Sequence, residues 1–183
     1  MDILLLGGSL RPGSLNGRLL QHLEQVLEAE GHRTSAWAGE ALRWPLLEEG
    51  AEPPGAVSAL AGEMRSAQGL VIVSPEYNAG IPGHLKNAVD WLSVQAPNPW
   101  DGLPVLLCAC SPGALGGARV LVPWRLTLAN VGAIVLPRSV TVPHVDQSLG
   151  PGGGPEDPRT REILRSALAA FLSCAGRLKP GKA

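Results

Sequence analysis

Residues Gly69 to Val73 read Gly-Leu-Val-Ile-Val, without the polar alternation of a strand that has one face in water. So short and uniformly apolar a run suits a strand covered on both faces, as in a parallel sheet with helices on either side. Strand-like runs recur at Ile3 to Leu6, Thr34 to Ala38, Val105 to Cys110 and Ala133 to Val142, the last interrupted by Pro137. Between them lie helical patterns: Asn16 to Ala29, with Leu19, Leu20, Leu23, Val26 and Leu27 on one stripe, then Ala56 to Ala67, Gly83 to Leu92 and Gly117 to Asn130. Alternating strands and helices predict βαβ units and a five-stranded parallel sheet. A last helix is expected after Asp157-Pro158, where Asp caps and Pro suits the first turn, continuing through Ile163, Leu164, Leu168 and Leu172. The stretch Gly150 to Pro155 ahead of it reads as a flexible surface loop that carries no packed element. No repeat or second domain stands out, so residues 1–183 are expected to form one α/β domain.

Composition narrows the partners. Hydrophobic residues make up 45% of the chain, charged residues 17%, and the formal net charge is −1, which argues against disorder and against a nucleic-acid-binding face. The first apolar run is too short for a signal-peptide core and has Asp2 where a basic flank would stand; no other run approaches the ~18 apolar residues that span a membrane. The expectation is a soluble cytoplasmic protein that meets small molecules or other protein chains. Cys108, Cys110 and Cys174 form no C-x-x-C pair and read as buried reduced thiols. His22, His32, His84 and His144 lack metal-ligand spacing, so no metal site is expected.

Three strand-to-helix loops carry the chemistry. Gly7 to Asn16 follows the first strand and has the composition of an anion cradle: glycines for close backbone approach, Ser9, Arg11 and Ser14 as donors, and a helix start with unpaired N–H groups. It is not a P-loop, since Ser14 follows Gly13 without a Lys. It also fails the dinucleotide spacing G-x-G-x-x-G and the hydrolase elbow G-x-S-x-G, because Arg11 stands where the latter needs Gly. Ser74 to Gly83 follows the third strand and exposes an aromatic and an amide between prolines. Ser111 to Gly117 follows the fourth with three glycines, which would let backbone approach a flat ligand. All three loops leave the same sheet edge, where open α/β sheets bind ligands. Glu76 has no carboxylate or His near it in sequence and reads as a backbone or solvated position rather than a general base. Lys86 and Asp90, four apart on a helix, are expected to pair.

The residues Gly8-Ser9-x-Arg11-x-x-Ser14-x-Asn16, Pro75-Glu76-Tyr77-Asn78 continuing through Pro82-Gly83-x-Leu85-Lys86-Asn87-x-x-Asp90-Trp91, and Ser111-x-Gly113-x-x-Gly116-Gly117 together resemble the NADPH-dependent FMN reductase family of quinone, chromate and azo-dye reductases. Trp44 to Glu49 looks like that family's loop after the second strand, whereas Gly150 to Pro155 is more glycine-rich than its usual connection. The resemblance implies a flavodoxin-like three-layer sandwich. It further implies an FMN phosphate held by Ser9, Arg11, Ser14 and Asn16, and an isoalloxazine bordered by Pro75, Glu76, Tyr77 and Asn78. Ser111, Gly113, Gly116 and Gly117 would lie along the ring's other edge. The implied reaction passes a hydride from NADPH or NADH to FMN and then reduces a quinone, flavin, azo or metal-oxyanion acceptor, with no catalytic side chain required. An FMN-binding electron carrier or redox sensor is the alternative, although carriers of that type generally expose a strongly acidic surface and this chain is nearly neutral. The family's subunit contacts imply a homodimer or homotetramer, with Trp91 and Leu92 giving the helix after the Tyr77 loop an apolar surface for a neighbour.

Overall fold

Strand β1 (Asp2–Gly7) sends Ile3 and Leu5 to one face and Leu4 and Leu6 to the other, and all four are buried. The same two-sided burial holds in β3 (Gly69–Ser74) and β4 (Pro104–Cys110), as their uniformly apolar sequences require. A computed structural model describes residues 1–178. In it β1 pairs with β2 (Arg33–Ala38) and β3, β3 with β4, and β4 with both β5 (Ile134–Val135) and β6 (Val140–Val142), every pairing parallel. The order β2-β1-β3-β4-β5 reverses direction between β1 and β3, which makes that junction the topological switch point.

Two helical layers cover the sheet. On one face α1 (Leu15–Ala29) and α6 (Pro158–Arg177) pack Leu19, Leu23, Leu27, Leu168 and Phe171 against Ile3, Leu5, Val71 and Leu106. Phe171 lies so close to Gly69 that a Cβ there would stand 2.5 Å from its ring. On the other face α2 (Gly55–Ser66), α3 (Gly83–Ser93) and α4 (Leu121–Asn130) bury Leu60, Val89 and Trp124 against Leu4, Ile72 and Leu107. Asp157 caps α6 by accepting from Thr160 N and Thr160 Oγ1, both at 2.7 Å, as the Asp-Pro signal predicts. Lys86 and Asp90 pair at 2.6 Å.

Four expectations change. The fifth strand is split: Pro137 cannot donate to a ladder, so β5 and β6 pair separately with β4. Arg125 closes the gap by donating to the carbonyls of Leu136 and Pro137 and to Ser139 Oγ. Short helices absent from the sequence pattern also form, a 3₁₀ turn at Gly39–Leu42 and α5 (Val145–Ser148), and the helix expected from Gly117 opens instead as a 3₁₀ turn at Ala118–Val120 ahead of α4. Trp91 and Leu92 do not present an apolar surface to a neighbour; both are buried in this chain's core, where Trp91 Nε1 donates to the Pro45 carbonyl at 2.8 Å. Gly150 to Pro155 is not a loose loop. It doubles back through a Leu149–Pro155 bridge, takes the Arg18 guanidinium on the Gly150 carbonyl at 2.7 Å, and lays Gly153 against the Arg18 backbone and Gly154 against the His22 ring. Gly153 and Gly154 are required by close approach, with Gly153 at φ 77°.

Candidate functional site

The cradle after β1 is built around the start of α1. Ser14 is the N-cap, with Oγ accepting from Gly17 N at 3.0 Å; the hydroxyl proton stays available to a ligand. Ser9 Oγ accepts from Arg11 N at 3.3 Å, and Arg11 is exposed, so the loop sets a hydroxyl, a cation and the positive end of α1 together. Gly8 passes so close to the neighbouring loop that a Cβ would lie 2.6 Å from both Pro75 Cδ and Leu85 Cδ1. This contact clamps the first loop against the second.

Asn16 points inward from the first turn of α1. Its Nδ2 donates to the Cys110 carbonyl at 3.4 Å, and its Oδ1 is buried without a partner. A buried acceptor left unpaired costs about 1–3 kcal/mol, and turning the amide over would set two oxygens against each other. A phosphate dianion, itself only an acceptor, cannot supply the missing proton; a hydroxyl of a sugar-alcohol chain can.

The second loop is a tight turn. Tyr77 N donates to the Gly80 carbonyl at 3.2 Å and Gly80 N to the Tyr77 carbonyl at 2.9 Å, while Asn78 (φ 51°) and Ala79 (φ 62°) both occupy the left-handed region. That is the primed geometry of two-residue hairpins, for which Asn is well suited and Ala is not. Pro75 is buried and Tyr77 is 51% exposed, so the turn lifts an aromatic ring out over the sheet edge. Glu76 is not solvated: its side chain is 8% exposed and its carboxylate accepts from Arg119 at Nη2 (2.6 Å), Nε (2.8 Å) and backbone N (3.0 Å).

The third loop holds Ser111 by backbone bonds to Val142 and Val145, and Gly113 accepts from His144 N and Gly116 N. Gly116 (φ 57°) and Gly117 (φ 81°) are both buried, and a Cβ on Gly116 would stand 2.7 Å from the backbone of Val142 and Pro143. Here the glycines are demanded by the fold as well as by any ligand.

A cleft of about 270 Å³ brings residues of all three loops together, with Ser9, Arg11, Ser14 and Asn16 on one side and Pro75, Tyr77 and Pro112 on the other. Hollows of about 400 and 490 Å³ open at the opposite edge of the sheet, beside Asp2 and Arg33 and beside Gln68 and Asp101. Size does not decide between them: only the smaller cleft combines a helix start, an exposed cation, an orphaned acceptor and the switch point. Glu76, Asn78, Ser111, Gly113, Gly116 and Gly117 do not line it directly; they shape the loops behind it. The donor set, the glycine cradles and the Asn16 acceptor fit a phosphorylated sugar-alcohol chain ending in a planar ring, as in FMN.

Two further residues have surroundings that their place in the sequence did not announce. Asn87, on α3, accepts from Leu47 N at 3.0 Å and donates to the Pro45 carbonyl at 2.9 Å, anchoring the Trp44 to Leu47 segment that leaves Leu46 exposed. His84 is half-buried beside the Gly8 carbonyl, and burial holds its imidazole below the ordinary histidine pKa. Burial also pushes the Cys108 and Cys110 thiols up to about 12, which leaves no thiolate for redox or nucleophilic work near neutral pH. Both thiols are free.

Fold and cleft together define a flavodoxin-like α/β protein, with the cleft at the β1–β3 switch point. Residues 1–147 match the model of the NADPH-dependent FMN reductases, and the chain belongs to that family. It is 36% identical over 175 residues to a quinone reductase of Escherichia coli (94% of this chain, 90% of the relative). It is 30% identical over 184 residues to an NAD(P)H-dependent FMN reductase of Pseudomonas aeruginosa (97% and 98%). Among solved structures, FerB of Paracoccus denitrificans, a flavoenzyme NAD(P)H:(acceptor) oxidoreductase, superposes with a TM-score of 0.82 at 25% identity, covering 96% of this chain and 97% of FerB.

Proposed function

We propose that this chain, as one domain over residues 1–183, is an FMN-dependent NAD(P)H oxidoreductase of the cytoplasm that reduces a small-molecule acceptor of the quinone, flavin, azo or metal-oxyanion class. The observation that carries this reading is the cleft joining the α1 cradle to the Tyr77 turn, with Asn16 Oδ1 buried and unpaired at its base. Bound FMN would supply the hydride chemistry. Ser9, Ser14, Arg11 and the first amides of α1 bind the phosphate, where charge-assisted bonds each contribute about 1.5–3 kcal/mol. Asn16 Oδ1 accepts a hydrogen bond from a hydroxyl of the sugar-alcohol chain. Pro75 to Asn78 on one side, and Ser111, Gly113, Gly116 and Gly117 on the other, orient the ring and keep one face open for nicotinamide and acceptor in turn. Tyr77, exposed at the rim, shapes that opening.

The working form is a homodimer, or a pair of dimers. Its support is α4, which leaves Val122 and Leu126 71% and 75% exposed four residues apart on one helix face, with Leu115 58% exposed on the preceding loop. The test of the catalytic reading is anaerobic: purified protein loaded with FMN should lose its visible flavin absorbance on addition of NADPH and regain it on addition of a quinone. Flavin that binds but never bleaches would leave a carrier or sensor instead.

A further inference from the structure

Among the described residues Glu76 and Arg119 form the ion pair whose carboxylate is buried; the other four pairs have both side chains at least 39% exposed. The pair spans 43 residues of sequence and joins the loop after β3 to the 3₁₀ turn after the Gly116-Gly117 loop. Glu76 Oε2 accepts from the backbone N–H of Arg119, one of the unpaired donors at the start of that turn, while Oε1 takes Nε and Nη2. Burying a carboxylate costs desolvation that an ion pair rarely more than offsets, so an overall gain in stability does not explain the arrangement. Its position does: the two loops it ties are the two proposed borders of the flavin ring.

We infer that Glu76 and Arg119 are positioning residues that brace the loop after β3 against the loop after β4, holding the ring slot at its working width before the cofactor arrives. The inference rests on the flavin reading above. With the brace in place, the Tyr77 turn and the Gly113 to Gly117 segment need not be ordered by FMN itself, and less of the binding energy is spent on ordering them. Arg119 keeps its guanidinium 63% exposed, so loss of Glu76 leaves a solvated cation, whereas loss of Arg119 strands a buried carboxylate. The two substitutions therefore differ in a predictable sense.

The test is titration of flavin-free wild type, Glu76→Gln and Arg119→Ala with FMN, together with melting of each flavin-free protein, the visible spectrum of bound flavin, and kcat and KM for NADPH. The expected result is at least tenfold weaker FMN binding in Arg119→Ala and a smaller, several-fold loss in Glu76→Gln. Both bound-flavin spectra should be altered, with melting little changed in Glu76→Gln and lowered in Arg119→Ala, where the carboxylate is left buried and unpaired. Wild-type FMN affinity and spectrum in both variants would overturn the brace while leaving the flavin reading intact. A Glu76→Gln variant that binds FMN normally but lowers KM for anionic acceptors would overturn it too, by showing Arg119 to be a substrate contact. Wild-type protein that takes up no FMN would sink both.

Discussion

Ala79 is the residue whose backbone conflicts most plainly with its side chain, because a left-handed φ of 62° places an alanine Cβ against the following carbonyl. The conflict costs about 1–2 kcal/mol and sits in the turn that lifts Tyr77 over the cleft, a place where strain tends to be retained for function. Ala79→Gly is expected to raise stability by roughly 0.5–1 kcal/mol in urea denaturation, since relief of the clash exceeds the added chain entropy. An unchanged or lower midpoint would show that the turn is not strained. Arg11→Ala should weaken FMN binding by about tenfold or more, the loss of a charge-assisted contact to phosphate, read by fluorescence titration. At this scale the sequence disclosed which residue types gather but not their partners. Asp157 was legible as a cap because capping is local, whereas Ser14, expected as a phosphate donor, proved also to cap α1. The Glu76 carboxylate was not legible, because Arg119 lies 43 residues away and nothing in the spacing announces the pair.

Among the elements, the helices were legible to within a residue or two, because their apolar stripes repeat over several turns; α4 is the exception, starting four residues after the expected Gly117. The short pieces were not legible: Gly39–Leu42 and α5 are too brief to carry a period. Pro137 signalled an interruption, yet only the Arg125 contacts explain why the chain resumes pairing on the same side of β4. Glycine content misled at Gly150 to Pro155, since composition cannot distinguish glycine that confers freedom from glycine that admits a neighbour. Gly153→Ala, at φ 77° and with its Cβ directed into the Arg18 carbonyl, should destabilise the fold by about 2 kcal/mol or more and loosen α1. A melting temperature equal to wild type would restore the loose-loop view. For α4, Leu126→Asp is expected to convert a dimer to a monomer in light scattering while leaving the circular dichroism unchanged, because Leu126 is 75% exposed in the single chain. Retention of the dimer mass would move the interface elsewhere.

For the whole molecule, the parallel sheet was written in β1, β3 and β4, apolar on both faces, but the spatial order of the strands was not, since periodicity says nothing about neighbours. That order came with the family resemblance, and the observed β2-β1-β3-β4-β5 agrees with it. Global stability should also carry a histidine signature. Burial lowers the pKa of His22 and of His84, so below about pH 6.5 the unfolded chain binds more protons than the folded one. Stability is therefore full above that pH and falls as pH drops through it toward the folded values. Asp2, Asp157 and Glu162, with pKa values lowered by hydrogen bonds to Arg33, Thr160 and Arg165, lose their contributions only at more acid pH. Urea midpoints at pH 7.5 and 5.5 should differ, and His22→Gln should shrink the difference; a flat profile between those values would contradict the assignment. The central claim concerns the cleft as a place where nicotinamide reduces a bound flavin. Its most direct test is anaerobic addition of NADPH, and separately NADH, to the FMN-loaded protein, followed by a quinone. Flavin colour should be lost with at least one nicotinamide and should return with the quinone. Bound flavin that stays oxidised under excess of both would contradict it.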